Sequence, residues 1–184
     1  MLLQRDDIAV FYREGTGKME TDALLRRCTE RFSALSGAET DGAEIVRAPG
    51  KKPAFSPECG VFFSVSHTDG VWMCAFARQE VGLDAELVRD REAGLIARRF
   101  FHPKEAEYVC GERGRFFEVW TAKESYVKYT GEGITDRFSV FSVTDGDKIA
   151  DRVGNVELHH VFWREGYAVC IAARRIGTVT LLEV

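Results

Sequence analysis

Val81-Gly82-Leu83-Asp84-Ala85-Glu86 carries two carboxylates two residues apart. On a strand, side chains alternate between faces, so Asp84 and Glu86 project together with Gly82 leaving space beside them, while Val81, Leu83 and Ala85 turn the other way. Like charges this close repel and raise each other's pKa unless a cation lies between them. Oxygen ligands of this kind suit Mg²⁺ or Mn²⁺, although a solvated acidic edge strand would carry the same residues. A second stretch, Trp120-Thr121-Ala122-Lys123-Glu124-Ser125-Tyr126-Val127-Lys128, has the charge and composition of a helix. Residues three and four apart share a helical face, which aligns Trp120, Glu124 and Lys128, with Lys123 and Val127 on the adjoining strip. Such a face is either an exposed Glu-to-Lys pair, stabilising by about 0.3–0.5 kcal/mol, or a cleft wall where Glu124 and Lys128 handle a proton and a phosphate and Trp120 anchors the helix. Ser66-His67 ends an apolar run beside the turn Thr68-Asp69-Gly70, a position where loops on a rigid sheet build sites. Lys51-Lys52, held between Pro49-Gly50 and Pro53, forms an ordered pair suited to an anion.

The elements that must position these residues follow from periodicity. Ile8 to Tyr12 and Glu44 to Arg47 read as strands, as do Val61 to His67 and Val71 to Ala77, which form a hairpin. Thr21-Asp22 is placed to cap a helix over Ala23 to Leu35, closed by Gly37, with Leu24, Leu25, Cys28, Phe32 and Leu35 on its core face. Ala93 to Phe101 is a short helix broken at His102-Pro103, and Pro103 opens another over Lys104 to Val109. The charged central helix runs from about Arg115 to Thr130 and stops at Gly131. Phe138 to Val143 alternates as a strand does, and Val156 to Trp163, Tyr167 to Ala173 and Thr178 to Val184 complete a β-rich end.

With 45% hydrophobic residues the 184-residue chain has ample material for a core. A net charge of −4 excludes a general nucleic-acid binder, which needs a basic excess. Acids near the start and the lack of a long apolar run exclude a signal peptide and a membrane span, so the expected compartment is the cytoplasm. Five cysteines, widely spaced and without a CxxC pair, indicate neither a disulfide framework nor a zinc site.

Laid side by side, the two halves of the chain are alike. Gly70-Val71-Trp72-Met73-Cys74-Ala75-Phe76-Ala77-Arg78 aligns without a gap to Gly166-Tyr167-Ala168-Val169-Cys170-Ile171-Ala172-Ala173-Arg174. At a slightly different offset Glu30 falls on Glu124 and Gly37 on Gly131. The chemistry is unevenly shared: His67, Asp84 and Glu86 belong to the first half, Glu124 and Lys128 to the second. One composite site between two stacked α+β halves, residues 1–88 and 89–184 forming one compact unit, is the economical expectation.

Gly50-Lys51-Lys52-Pro53, Phe63-Ser64-Val65-Ser66-His67, Val81 to Glu86, Phe101-His102-Pro103-Lys104-Glu105 and Trp120 to Ser125 with Lys128 and Gly131 together resemble, in order and spacing, the phosphopantetheinyl transferase superfamily. The resemblance is to its single-chain, surfactin-synthetase-activating type. It implies two halves related by a pseudo-twofold, with a site in the cleft, and transfer of the phosphopantetheine arm of coenzyme A to a serine of an acyl or peptidyl carrier protein, releasing 3′,5′-ADP. Carried over by position, Asp84, Glu86 and Glu124 would hold Mg²⁺, with Mn²⁺ as a substitute. Glu124 would also be the general base, directly or through a water on the metal. Lys128 and His67 would contact the phosphates, and Lys51, Lys52 and Ser66 would grip the nucleotide end. The family often has asparagine where Ser64 stands, and no basic motif before Glu44 aligns with a 3′-phosphate site, Arg26 and Arg27 being the residues available there. The expected form is a monomer serving fatty-acid, polyketide or nonribosomal-peptide synthesis. Two alternatives stay open: a non-catalytic coenzyme A or carrier-binding module, and another metal-dependent phosphoryl-transfer enzyme or nuclease sharing only the acidic cluster.

Overall fold

Alternating apolar residues build strands with two useful faces, and this chain uses both faces of both its main sheets. A computed structural model describes residues 2–15, 20–40, 43–89, 92–110, 112–131 and 136–184. The elements are β1 (Ile8–Glu14), α1 (Thr21–Ser36), β2 (Ile45–Val46), β3 (Ala54–Phe55), β4 (Phe62–Thr68), β5 (Val71–Ala77), β6 (Val81–Leu87), α2 (Ala93–Phe100), α3 (Pro103–Val109), α4 (Arg113–Thr130), β7 (Thr144–Asp145), β8 (Lys148–Ile149), β9 (Arg152–Val153), β10 (Val156–His160), β11 (Tyr167–Ala173) and β12 (Val179–Glu183), with 3₁₀ turns at Pro57–Cys59 and Asp136–Ser139. The class is α+β, as expected.

Two four-stranded sheets have the orders β12-β1-β5-β4 and β6-β11-β10-β9. Their facing sides meet through Ile8, Val10, Val71, Met73, Ala75, Val81, Leu83, Ala85, Val169 and Ile171. The alternate residues Phe11, Trp72, Cys74 and Phe76 cover Leu24, Leu25, Cys28 and Phe32 of α1. On the second sheet's outer side, Leu158, Cys170 and Ala172 join Phe116, Phe117, Val119, Ala122 and Val127 of α4. A helix thus lies on the outer face of each sheet, and the period-two pattern of each strand accounts for both interfaces. Each sheet also borrows a strand: β6 pairs antiparallel with β11, from Val81↔Ala173 to Leu87↔Tyr167, and β12 pairs parallel with β1.

α4 crosses β6 at Gly82, where an added Cβ would lie 1.8 Å from the Ser125 carbonyl oxygen and 2.7 Å from the Tyr129 nitrogen. Only glycine permits that approach. Both long helices close on a left-handed glycine, Gly37 (φ 67°) and Gly131 (φ 68°).

Three local expectations change. The N-cap of α1 is Glu20, with no side-chain hydrogen bond, and Thr21 is the first helical residue, its hydroxyl engaged by His67. His102, read from the sequence only as part of the break before Pro103, caps α3: its ring accepts from the Lys104 N–H while Glu105 accepts from the His102 N–H, a reciprocal capping box. The strand expected over 138–143 is instead a 3₁₀ turn and an irregular segment, since Phe138 and Phe141 close around Lys123 and the Phe141 carbonyl accepts from its ammonium rather than from a strand. Among the described residues no helix is long and apolar enough to cross a membrane.

Candidate active site

β6 is hydrogen-bonded to β11 along one edge, and side chains serve the other. Ser64, Ser66 and Thr68 stand two residues apart on β4 and share a face. Their hydroxyls accept from the N–H groups of Leu83 (3.0 Å), Ala85 (3.1 Å) and Leu87 (2.9 Å). Two ammonium groups take carbonyls on the same edge: Lys52 Nζ donates to Val81 O at 2.8 Å and Lys128 Nζ to Leu83 O at 3.0 Å. Hydroxyls and lysines thus replace a strand along this seam, meeting the rule that buried backbone groups find partners.

Asp84 and Glu86 emerge from that edge toward α4 and the rim. Asp84 is buried, and its Oδ1 accepts from Ser66 Oγ (2.9 Å) and Lys128 Nζ (2.7 Å). Among the described residues its buried Oδ2 has no hydrogen-bond partner. Glu86 Oε2 receives the Thr68 hydroxyl at 3.4 Å. Glu124 is 6% exposed, and burial pushes its pKa up to about 7, helped by the negative charge of Asp84, opposed by Lys128 and raised again by Glu86. Its ionisation is therefore governed first by burial and then by the charged groups that the sequence singles out.

The cations form a rim. Burial holds Lys52 below the usual lysine range in spite of its 3.0 Å pairing with Glu80. Burial and the Lys128 charge hold His67 below its ordinary value, so its ring is neutral at pH 7, with Nε2 3.1 Å from the Thr21 hydroxyl. Lys51 Nζ donates to the Gly131 carbonyl at 2.7 Å, capping the C-terminal end of α4. Ser66 and Lys128 bond Asp84 directly, Glu124 is close enough to feel the charges of Asp84, Lys128 and Glu86, and His67 and Lys52 feel that of Lys128. Arg26 and Arg27 are exposed on α1.

The donor set is all oxygen and includes a partnerless buried carboxylate oxygen, which suits a hard cation. Among the described residues no three His, Cys, Asp or Glu side chains stand together as a ready metal cage. With Asp84 offering that oxygen, one or two carboxylates could hold Mg²⁺ once water and substrate phosphates complete its shell.

Sequence reading missed the roles of Ser64 and Thr68, although the signal was there: three hydroxyl residues at period two, opposite a strand carrying carboxylates. It also missed that Lys123 is fully buried and paired with Glu105. Nothing local distinguishes Lys123 from Lys128.

The sequence model of the 4′-phosphopantetheinyl transferase superfamily matches residues 80–172, about half of the chain. The match includes Asp84, Glu86, Glu124 and Lys128, and leaves Lys51, Lys52, Ser66 and His67 outside it. The chain is 39% identical over 85 residues to the 4′-phosphopantetheinyl transferase HetI of Nostoc sp. (strain PCC 7120), covering 42% of this chain and 35% of that one. It is 37% identical over 81 residues to the 4′-phosphopantetheinyl transferase gsp of Aneurinibacillus migulanus, covering 40% and 33%. With the 4′-phosphopantetheinyl transferase Sfp of Bacillus subtilis (strain 168) it shares 31% identity over 103 residues, 52% and 46% of the two chains. The matched stretches span about a third to a half of these curated relatives. With the acidic strand, the buried Glu124 and Lys128 all inside the matched segment, the chain belongs to the 4′-phosphopantetheinyl transferase superfamily.

Proposed function

We propose that the chain is an active 4′-phosphopantetheinyl transferase, which moves the phosphopantetheine arm of coenzyme A to a serine hydroxyl of an acyl or peptidyl carrier protein and releases 3′,5′-ADP. The observation that carries this reading is the buried, partnerless Oδ2 of Asp84 beside Glu124 and Lys128, within the family-matched segment. Asp84, Glu86 and Glu124 would hold Mg²⁺, which would neutralise charge on the pyrophosphate when bound. Lys128 is pinned by Leu83 O and Asp84, so its ammonium sits preset for a phosphate rather than searching rotamers. His67, neutral at pH 7, offers an N–H rather than a full charge. Lys52 and Lys51 line the nucleotide end with Ser66, and the exposed Glu80 is the partner Lys52 exchanges for an anion. Glu124 takes the carrier serine's proton, a hydroxyl being a poor nucleophile until deprotonated.

Supporting the finer architecture, β5 and β11 are matching central strands and α1 and α4 are matching outer helices, each closed by a glycine. On this reading residues 1–88 and 89–184 are two halves related by a pseudo-twofold, joined as one unit with the site in their cleft, and the protein acts as a cytoplasmic monomer. Incubation with coenzyme A, Mg²⁺ and an apo carrier should add about 340 Da to the carrier, the mass of the transferred group. No gain across several carriers overturns the reading. Glu124→Gln should melt no lower than the wild type and lose about 10²–10⁴-fold in rate; undiminished turnover removes Glu124 as base. One observation favours a second reading, a coenzyme A or carrier-binding module without catalysis: among the described residues no three His, Cys, Asp or Glu side chains stand together to hold a metal. Calorimetry distinguishes it by tight coenzyme A binding that is independent of Mg²⁺.

A further inference from the structure

Each hydroxyl of the β4 seam accepts one N–H from β6, but only two of the three also donate to a carboxylate. Ser66 Oγ accepts from Ala85 N–H and gives its own hydrogen to Asp84 Oδ1 at 2.9 Å. The Ala85 carbonyl, at 3.5 Å, is the poorer acceptor for that single hydrogen. Thr68 Oγ1 accepts from Leu87 N–H and points its hydrogen to Glu86 Oε2 at 3.4 Å. Among the described residues the Ser64 hydroxyl makes only the backbone rung, to Leu83 N–H. Asp84 Oδ1 is filled by Ser66 and Lys128 together, which orients the carboxylate and leaves Oδ2 as its partnerless oxygen.

We infer that Ser66 and Thr68 are positioning residues: their hydroxyls tie the β4–β6 seam to the two strand carboxylates, and Ser66 decides which oxygen of Asp84 is presented to a divalent cation. This rests on the cation-binding part of the proposed function, and it gives the Ser66 hydroxyl, buried and donating to Asp84, a task in addition to its place at the nucleotide end. Ser64 is the internal control, since its loss removes one seam rung and touches neither carboxylate.

The test is Mn²⁺ binding to the intact chain, followed by titration calorimetry and by electron paramagnetic resonance of free Mn²⁺, together with the Mg²⁺ dependence of transfer. Removing a partner that orients a metal ligand typically costs 10–100-fold in metal affinity. Ser66→Ala should weaken Mn²⁺ about tenfold or more and raise the Mg²⁺ concentration needed for half-maximal rate, with the maximal rate recovered at saturation. Thr68→Val should do the same more weakly, its donor contact being longer. Ser64→Ala should lower the melting temperature and leave Mn²⁺ affinity within about twofold. Equal losses of affinity in Ser64→Ala and Ser66→Ala, or none in Ser66→Ala and Thr68→Val, overturn the inference. Should Ser66→Ala not fold, the comparison of Thr68→Val with Ser64→Ala decides by the same criterion. A wild-type chain that binds Mn²⁺ but transfers nothing overturns the transfer reading and leaves this inference standing; a wild-type chain that transfers but binds no Mn²⁺, with or without coenzyme A, overturns this inference alone.

Discussion

α4 carries two lysine–carboxylate pairs, and they are built to opposite specifications. Lys123 and Glu105 are both wholly buried, 2.8 Å apart. Lys123 also donates to Phe141 O at 2.7 Å and lies 4.0 Å from the Phe141 ring centroid. Glu105 accepts from Val143 N–H at 2.7 Å and His102 N–H at 2.9 Å. Both carboxylate oxygens are filled, and the pair locks α3, α4 and the segment after Phe138 together. Lys128 and Asp84, 2.7 Å apart, are left partly open: the lysine is 23% exposed and one aspartate oxygen has no partner. Residue type does not separate a structural pair from a functional one. Completeness does, because a buried polar atom without a partner costs free energy that a ligand can return.

The largest expected effect is at the closed pair. Lys123→Met or Glu105→Gln alone should cost about 3–5 kcal/mol in urea unfolding, since each leaves a buried group without its counter-charge or full bonding, whereas Lys123→Met combined with Glu105→Leu should recover most of that loss. A single-variant cost under about 1 kcal/mol would erase the distinction between the pairs.

Next comes the open pair's neighbour. Glu124's folded pKa of about 7 lies above its ordinary 4.5, so without metal the folded state holds a proton that the unfolded chain releases. That contribution is full below about pH 4.5 and is lost as pH rises to about 7. Relative to Glu124→Gln, the metal-free wild type should lose up to about 3 kcal/mol across that window, and saturating Mg²⁺ should abolish the loss. Identical stability profiles for the two proteins would show that Glu124 is solvated like an ordinary surface carboxylate.

Between the two pairs lies the contact that keeps α4 in place. Gly82→Ala drives a methyl into the Ser125 carbonyl, which cannot yield without shifting the helix, and should cost about 1–3 kcal/mol. If the comparison is sound, metal affinity should fall with it, because Asp84 and Glu124 separate, while the Lys123–Glu105 pair persists, as the amide exchange of Val143 would report. The smallest effect belongs to Lys51→Ala, a lost capping charge at the end of α4 worth about 0.3–1 kcal/mol, readable as a shift of a few degrees in melting temperature.

Much of this was legible in one dimension. The alternation in Val81 to Glu86 put both carboxylates on one face, the Lys and Glu spacing marked α4, and glycines marked the ends of both long helices, because these features depend only on neighbours along the chain. Phe138 to Val143 shows where that legibility stops: its alternation is genuine, but Lys123, 18 residues away from Phe141, takes the carbonyl that a strand would need. Likewise Thr21 had the right side chain to cap α1 and spends it on His67 instead.

By itself, then, the sequence determined which residues alternate, which helices form, and which acids and bases lie within reach of one another's elements. Only the tertiary structure decided that Lys123 would be closed off and Lys128 left open, that a serine and a threonine would hold the carboxylates, and that one oxygen of Asp84 would lack a partner. Local propensity acts over a few residues, whereas burial, charge pairing and hydrogen-bond satisfaction are properties of positions in space.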